Sequence, residues 1–169
     1  NILFMTIKKQ IIAIGGDTAV SLANQQQRNN PTARPAEWIA ALSADDFKLD
    51  QYVLDQAGIE NPRICFLATA SGDNPRIYEA YYEVMSKLKC RPTHLSLFDG
   101  SDPDLRKQLL NTDIIYVHGG NTRNMLTLWK DWGVDLFMRE AYEAGIVLAG
   151  WSAGSICWFE EGVTDSVPG

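Results

Sequence analysis

Gly150-Trp151-Ser152-Ala153-Gly154 follows a short apolar run and precedes Ser155-Ile156-Cys157-Trp158, which can open a helix. The pattern is GxSxG, and between a strand and a helix it describes a nucleophile elbow. Small neighbours let the chain turn sharply, so the serine hydroxyl stands above the sheet edge in a strained backbone conformation. The turn also aims the N–H of Ala153, at the helix start, into the same space, where it can serve as an oxyanion donor. GxSxG alone arises by chance in about one chain in twenty of this length, so its placement at a strand-to-helix junction carries the assignment of Ser152 as nucleophile.

The second motif is Val117-His118-Gly119-Gly120-Asn121-Thr122, again at the end of an apolar run. Ligand sites of parallel α/β sheets lie at that edge. Two glycines there leave backbone N–H groups able to approach a ligand closely, which makes Gly119, Gly120, Asn121 and Thr122 candidate substrate contacts. Asn121 can equally be a plain helix cap. Neither Gly-Gly pair extends to GxGxxG or GxxxxGK[ST], so a phosphate loop is disfavoured.

A serine nucleophile needs a base, and the chain holds only His94 and His118. His94 stands at the entrance of its apolar run, the wrong end of a sheet. His118 stands at the correct end, but its segment is better read as backbone for oxyanion and substrate. No histidine follows Ser152; carboxylates do, at Glu160, Glu161 and Asp165.

The elements that must position these residues are short apolar runs at 10–14, 63–68, 93–98, 113–117 and 146–149, alternating with helical patterns at 74–88 and 125–144. That alternation predicts βαβ units, and runs without polar alternation predict strands covered on both faces. The helical stripes, Met85 and the aromatics included, read as core. Another helical pattern is built on Phe47, Tyr52, Val53 and Leu54. Before it, the Gln/Asn-rich stretch 17–36 reads as a surface loop or insertion close to the end of the first strand.

Composition narrows the function further. The 169 residues are 46% hydrophobic and 21% charged, with 15 Lys+Arg against 21 Asp+Glu and a net charge of −6. One domain with a core sufficient for stability is expected, and the acidic balance argues against nucleic acid as a partner. Cys65, Cys90 and Cys157 are too few and too widely spaced for a disulfide framework or a metal knuckle. No apolar run approaches the roughly 18 residues of a membrane span, and no signal peptide is evident, so a cytoplasmic setting is expected. Homo-oligomers are compatible with this composition but not readable from it.

Gly119-Gly120-Asn121-Thr122, then Ala149 through Gly154, then Gly162-Val163-Thr164-Asp165-Ser166 together resemble the peptidase E family of serine peptidases, from about Gln10 to Gly169. The resemblance implies a three-layer, flavodoxin-like parallel sheet of the class I glutamine amidotransferase kind. It implies Ser152 as nucleophile, Gly120 and Ala153 as oxyanion donors, and Asp165 as the triad carboxylate, with Glu160 and Glu161 left open because some relatives use glutamate. It also implies hydrolysis of short peptides with an N-terminal or β-linked aspartate, for which Arg123 or Arg76 could bind the carboxylate, with no metal or organic cofactor. Glutaminase chemistry on that fold uses cysteine where this chain has Ser152. The long 17–36 stretch and the absent histidine depart from the family. The absent histidine, with the run at 146–149 expected to leave an open sheet edge, leads to the expectation that sequence beyond Gly169 adds a strand and the histidine. Residues 1–4 are expected to be a leader before a natural start at Met5. The alternative is a degenerate, non-catalytic member that binds a small molecule or peptide.

Overall fold

The computed structural model describes residues 8–100 and 104–166, so the expected leader and Met5 lie outside the described residues. Five strands, β1 Ile11–Ile14, β2 Arg63–Leu67, β3 Arg91–Leu95, β4 Ile114–Val117 and β5 Val147–Trp151, form one parallel sheet in the order β1-β5-β4-β2-β3. Eight α-helices are described: α1 Ala19–Asn29, α2 Pro35–Ile39, α3 Lys48–Asp55, α4 Pro75–Met85, α5 Leu105–Leu110, α6 Thr122–Trp132, α7 Val134–Glu143 and α8 Ala153–Ile156. The three-layer α/β architecture is the one the apolar runs and the resemblance imply.

Strand burial explains the layers. Along β4, Ile114 and Tyr116 join a core with Val20, Trp38, Leu54 and Tyr81 on one face. Ile115 and Val117 join Met125, Trp129, Met138 and Leu148 on the other. Successive side chains of a strand point to opposite faces, so a strand covered on both sides reads as a continuous apolar block. At its entrance β2 is fixed to β4 by a forked ion pair: Arg63 donates to Asp113 from Nε at 3.1 Å and from its terminal nitrogen at 2.8 Å. The guanidinium holds the Asp113 carboxyl below the usual carboxylate range.

Four readings are corrected. Most of the stretch 17–36 is helix rather than loop, with turn and coil only around 30–34: Thr18 caps α1 in a reciprocal capping box with Ser21, and Ala19, Val20 and Ala23 are buried against the sheet. The pattern at 125–144 is two helices, because Gly133 at φ 73° ends α6 and starts α7. Strand β3 runs from Arg91 to Leu95, since beyond it the N–H groups of Leu97 and Phe98 are captured by the buried Asp73 carboxylate at 2.5 and 3.1 Å. Finally, β5 is not an open edge. It lies between β1 and β4, with Ile11 opposite Leu148 and Ile115 opposite the same residue, so the edge argument for a further strand fails. No helix among the described residues is long and apolar enough to cross a membrane.

Candidate active site

Strand β5 ends in the elbow. Ser152 has φ 52° and ψ −120°, a conformation that L-residues avoid, and it directly precedes α8. Both motif glycines are required by close packing. A Cβ at Gly150 would stand 2.7 Å from the Val117 carbonyl oxygen, and one at Gly154 would stand 2.7 Å from the Val117 carbonyl carbon. The two ends of the elbow thus clamp the end of β4. Trp151 is buried and stacks on Phe66 with ring centroids 5.9 Å apart, while Ser152 is exposed. The Ala153 N–H is the first of α8 and has no acceptor within its helix.

The loop after β4 lies over the serine. A Cβ at Gly119 would come within 2.9 Å of Ser152 Cβ, and Gly120 has φ 138°, open only to glycine at this site because a Cβ would also meet Ser71 Oγ at 2.7 Å. The Asn121 N–H is spent on the Ala70 carbonyl at 2.7 Å. Asn121 proves to be a cap, accepting from the Asn124 N–H at 2.8 Å, and it also lines the cleft. Thr122 is buried, bonded through its hydroxyl to Thr164 and through its N–H to Ser166 Oγ at 2.8 Å, and is not among the cleft-lining residues. Those two bonds tether the 164–166 segment to the start of α6.

Ser152, Gly119, Gly120 and Asp165 share one cleft of about 500 Å³ at the C-terminal edge of the sheet. Asp165 is exposed there; Glu160 and Glu161 are exposed outside the lining. The opposite wall is α1, whose Ser21, Asn24, Gln25 and Arg28 face the cleft at helical spacing. This wall was hidden in the sequence by its Gln/Asn-rich composition. The signal available was Thr18 with Ser21 as a capping box, followed by Ala19, Val20 and Ala23 on one face. Of the arginines considered for a substrate carboxylate, Arg123 is exposed on α6 and Arg76 lies over the Trp38 ring at 5.0 Å. Among the described residues the cleft's arginine is Arg28.

Both histidines are engaged. His94 is not at the entrance of its strand but fourth of five in β3, with Nδ1 2.7 Å from Tyr82 OH. Three strand spacings, about 14 Å, separate β3 from β5. His118 is buried, with Nε2 3.0 Å from Asn24 Nδ2 and Nδ1 against the Gly119 carbonyl and Ser71 Oγ. Burial, aided by the charge of Arg28, pushes its pKa down to about 4, so the imidazole is neutral at pH 7. Among the described residues no group of three or more His, Cys, Asp or Glu side chains gathers as a metal site.

Behind the cleft, Asp50 on α3 is buried and accepts from the Ala19 N–H at 2.6 Å and from Tyr116 OH at 3.0 Å. Desolvation raises its pKa from 3.8 to about 6 despite these bonds. The folded state therefore binds more protons than the unfolded chain between pH 4 and 6, and stability falls as pH rises through that window. Relative to the native protein, Asp50→Asn is expected to gain about 2 kcal/mol between pH 4 and pH 7. Denaturant unfolding of both proteins across that range measures it, and a pH-independent difference would show that hydrogen bonds fully offset the desolvation.

The model for peptidase family S51 matches residues 40–169. Over 126 residues the chain is 54% identical to the uncharacterized peptidase YgaJ of Bacillus subtilis strain 168, covering 75% of this chain and 55% of the relative. The chain thus spans little more than half the length of that relative. A crystal structure from Listeria monocytogenes EGD-e, described as a candidate peptidase E protein, superposes with a TM-score of 0.54 at 18% identity, covering 88% of this chain and 60% of the other. At that identity the likeness is one of fold.

Proposed function

The chain belongs to peptidase family S51, and on that premise we propose that it is the nucleophile-bearing part of a serine-type peptidase acting on short peptides. Ser152 attacks the scissile carbonyl carbon while its proton passes to an imidazole. The carbonyl oxygen takes up negative charge and is held by the N–H groups of Gly120 and Ala153. Collapse of the tetrahedral intermediate expels the amine, which takes the proton from the imidazolium, and water then releases the acid from Ser152 by the same steps in reverse order. Asp165 orients the imidazole. Because His94 and His118 are both committed elsewhere, the imidazole is assigned to a histidine outside these 169 residues. Substrates with an N-terminal or β-linked aspartate are the class the family resemblance favours, and a cytoplasmic setting accompanies that reading.

The observation that carries the proposal is the backbone of Ser152. Strain of this kind persists only where surrounding structure enforces it, and here the close packing of Gly150 and Gly154 against the Val117 carbonyl holds the turn at the mouth of a cleft. A second reading, a non-catalytic binding module, draws on the commitment of both histidines. Labelling of the full-length protein with a fluorophosphonate, followed by intact-mass and peptide analysis, separates the two. Modification at Ser152, absent in Ser152→Ala and weak in the 1–169 chain alone, is the expected result. Full-length protein that resists labelling, or is labelled equally in Ser152→Ala, removes the serine peptidase assignment.

A further inference from the structure

The Gly119 carbonyl is turned onto two side-chain donors. Ser71 Oγ donates to it at 2.8 Å, and His118 Nδ1 lies against it as a second donor. A ring nitrogen that donates must carry the proton, so Nε2 of the neutral ring is an acceptor, and Asn24 Nδ2 supplies the matching N–H at 3.0 Å. The network thus runs from α1 through His118 to the short turn Thr69–Ser71 after β2, and it converges on one carbonyl oxygen.

In a trans peptide the C=O and the following N–H point in opposite directions. The described residues contain no cis peptide bond. Holding the Gly119 carbonyl on these donors therefore turns the Gly120 N–H the opposite way. Without that hold, no Cβ on either side opposes rotation of the Gly119–Gly120 peptide as a unit. A rotated peptide would present a carbonyl oxygen, not an N–H, to a developing oxyanion.

We infer that His118, Ser71 and Asn24 are positioning residues that set the oxyanion donor of the cleft by locking the Gly119–Gly120 peptide. The inference rests on the serine peptidase reading, in which Gly120 N–H meets the oxyanion. It gives the buried histidine a role in which it touches neither substrate nor Ser152 and exchanges no proton during the reaction.

The test is the rate of fluorophosphonate labelling at Ser152 in the full-length protein, resolved into the limiting rate and the half-saturating probe concentration. His118→Asn places an amide N–H where Nδ1 stands, whereas His118→Phe fills the pocket without a donor. The limiting rate is expected to stay within about fivefold of the native value in His118→Asn and to fall about 100-fold in His118→Phe, the size of losing one oxyanion donor. The half-saturating concentration should not change. Ser71→Ala, at a half-buried site that tolerates truncation, is expected to lose about tenfold, and it serves as the test if His118→Phe does not fold. Native rates in folded His118→Phe or in Ser71→Ala would overturn the inference. So would a His118→Asn as slow as His118→Phe, which would make the imidazole itself the reacting group. Native protein that is not labelled at Ser152 defeats the underlying peptidase reading first, and this inference with it.

Discussion

Ser152→Gly is expected to abolish turnover and to make the protein more stable. Loss of the nucleophile lowers kcat by about 10⁶-fold where serine hydrolases have been dissected residue by residue. Stability moves the other way. At φ 52° and ψ −120° the serine sits where an L-residue carries strain of about 1–3 kcal/mol, whereas glycine enters that region freely. Glycine gives back about 0.5–1 kcal/mol through the greater freedom of the unfolded chain. The net gain is about 1 kcal/mol, a rise in Tm of about 2–4 °C for a domain of this size. Thermal melts of native, Ser152→Ala and Ser152→Gly proteins measure it, with the alanine variant inactive and no more stable than the native protein. A glycine variant that melts lower would mean that the elbow is relaxed as it stands, and the argument from backbone strain to catalysis would lose its footing.

Asp165→Asn carries the second large effect. If Asp165 orients the imidazole, the amide favours the wrong tautomer, and kcat should fall by about 10⁴-fold in the full-length protein. The fold should be unaffected, because Asp165 is exposed and its segment is tethered through Ser166 and Thr164 to the start of α6. The exposure also leaves room above the carboxylate for a ring. Glu161→Gln, outside the cleft lining, should stay within about threefold. Steady-state kinetics on an Asp-Leu dipeptide, with circular dichroism as the control for folding, decide between them. A dead Glu161→Gln beside an active Asp165→Asn would move the triad carboxylate to Glu161.

The turn was legible because its chemistry is local: glycines two positions either side of a serine, between an apolar run and a helix start, permit a sharp strand-to-helix turn. The structure adds the reason each glycine is needed, the carbonyl of Val117 on β4, which no reading of residues 150–154 alone could supply. His118 was legible as standing at the right edge of the sheet, yet its partners Asn24 and Ser71 lie 94 and 47 positions away.

What the amino-acid sequence by itself determined is therefore the set of elements and the local turns: five apolar runs, the helical stripes between them, the elbow at Ser152 and the glycine pair after β4. Periodicity and turn chemistry act between near neighbours, so they can be read without knowing what packs against what. What only the tertiary structure decided is adjacency. The run at 146–149 looked like the last strand of a sheet with a bare edge, but burial of both its faces and both its edges places it between β1 and β4. The polar stretch after Gly16 looked like a loop because its outward residues are Gln and Asn. It is a helix because three small apolar residues and a cap suffice when a sheet is there to cover them, and its polar side becomes the wall of the cleft. Long-range packing selects among local possibilities of similar free energy, and here that selection brought α1, the turn after β2, and the ends of β4 and β5 to one site.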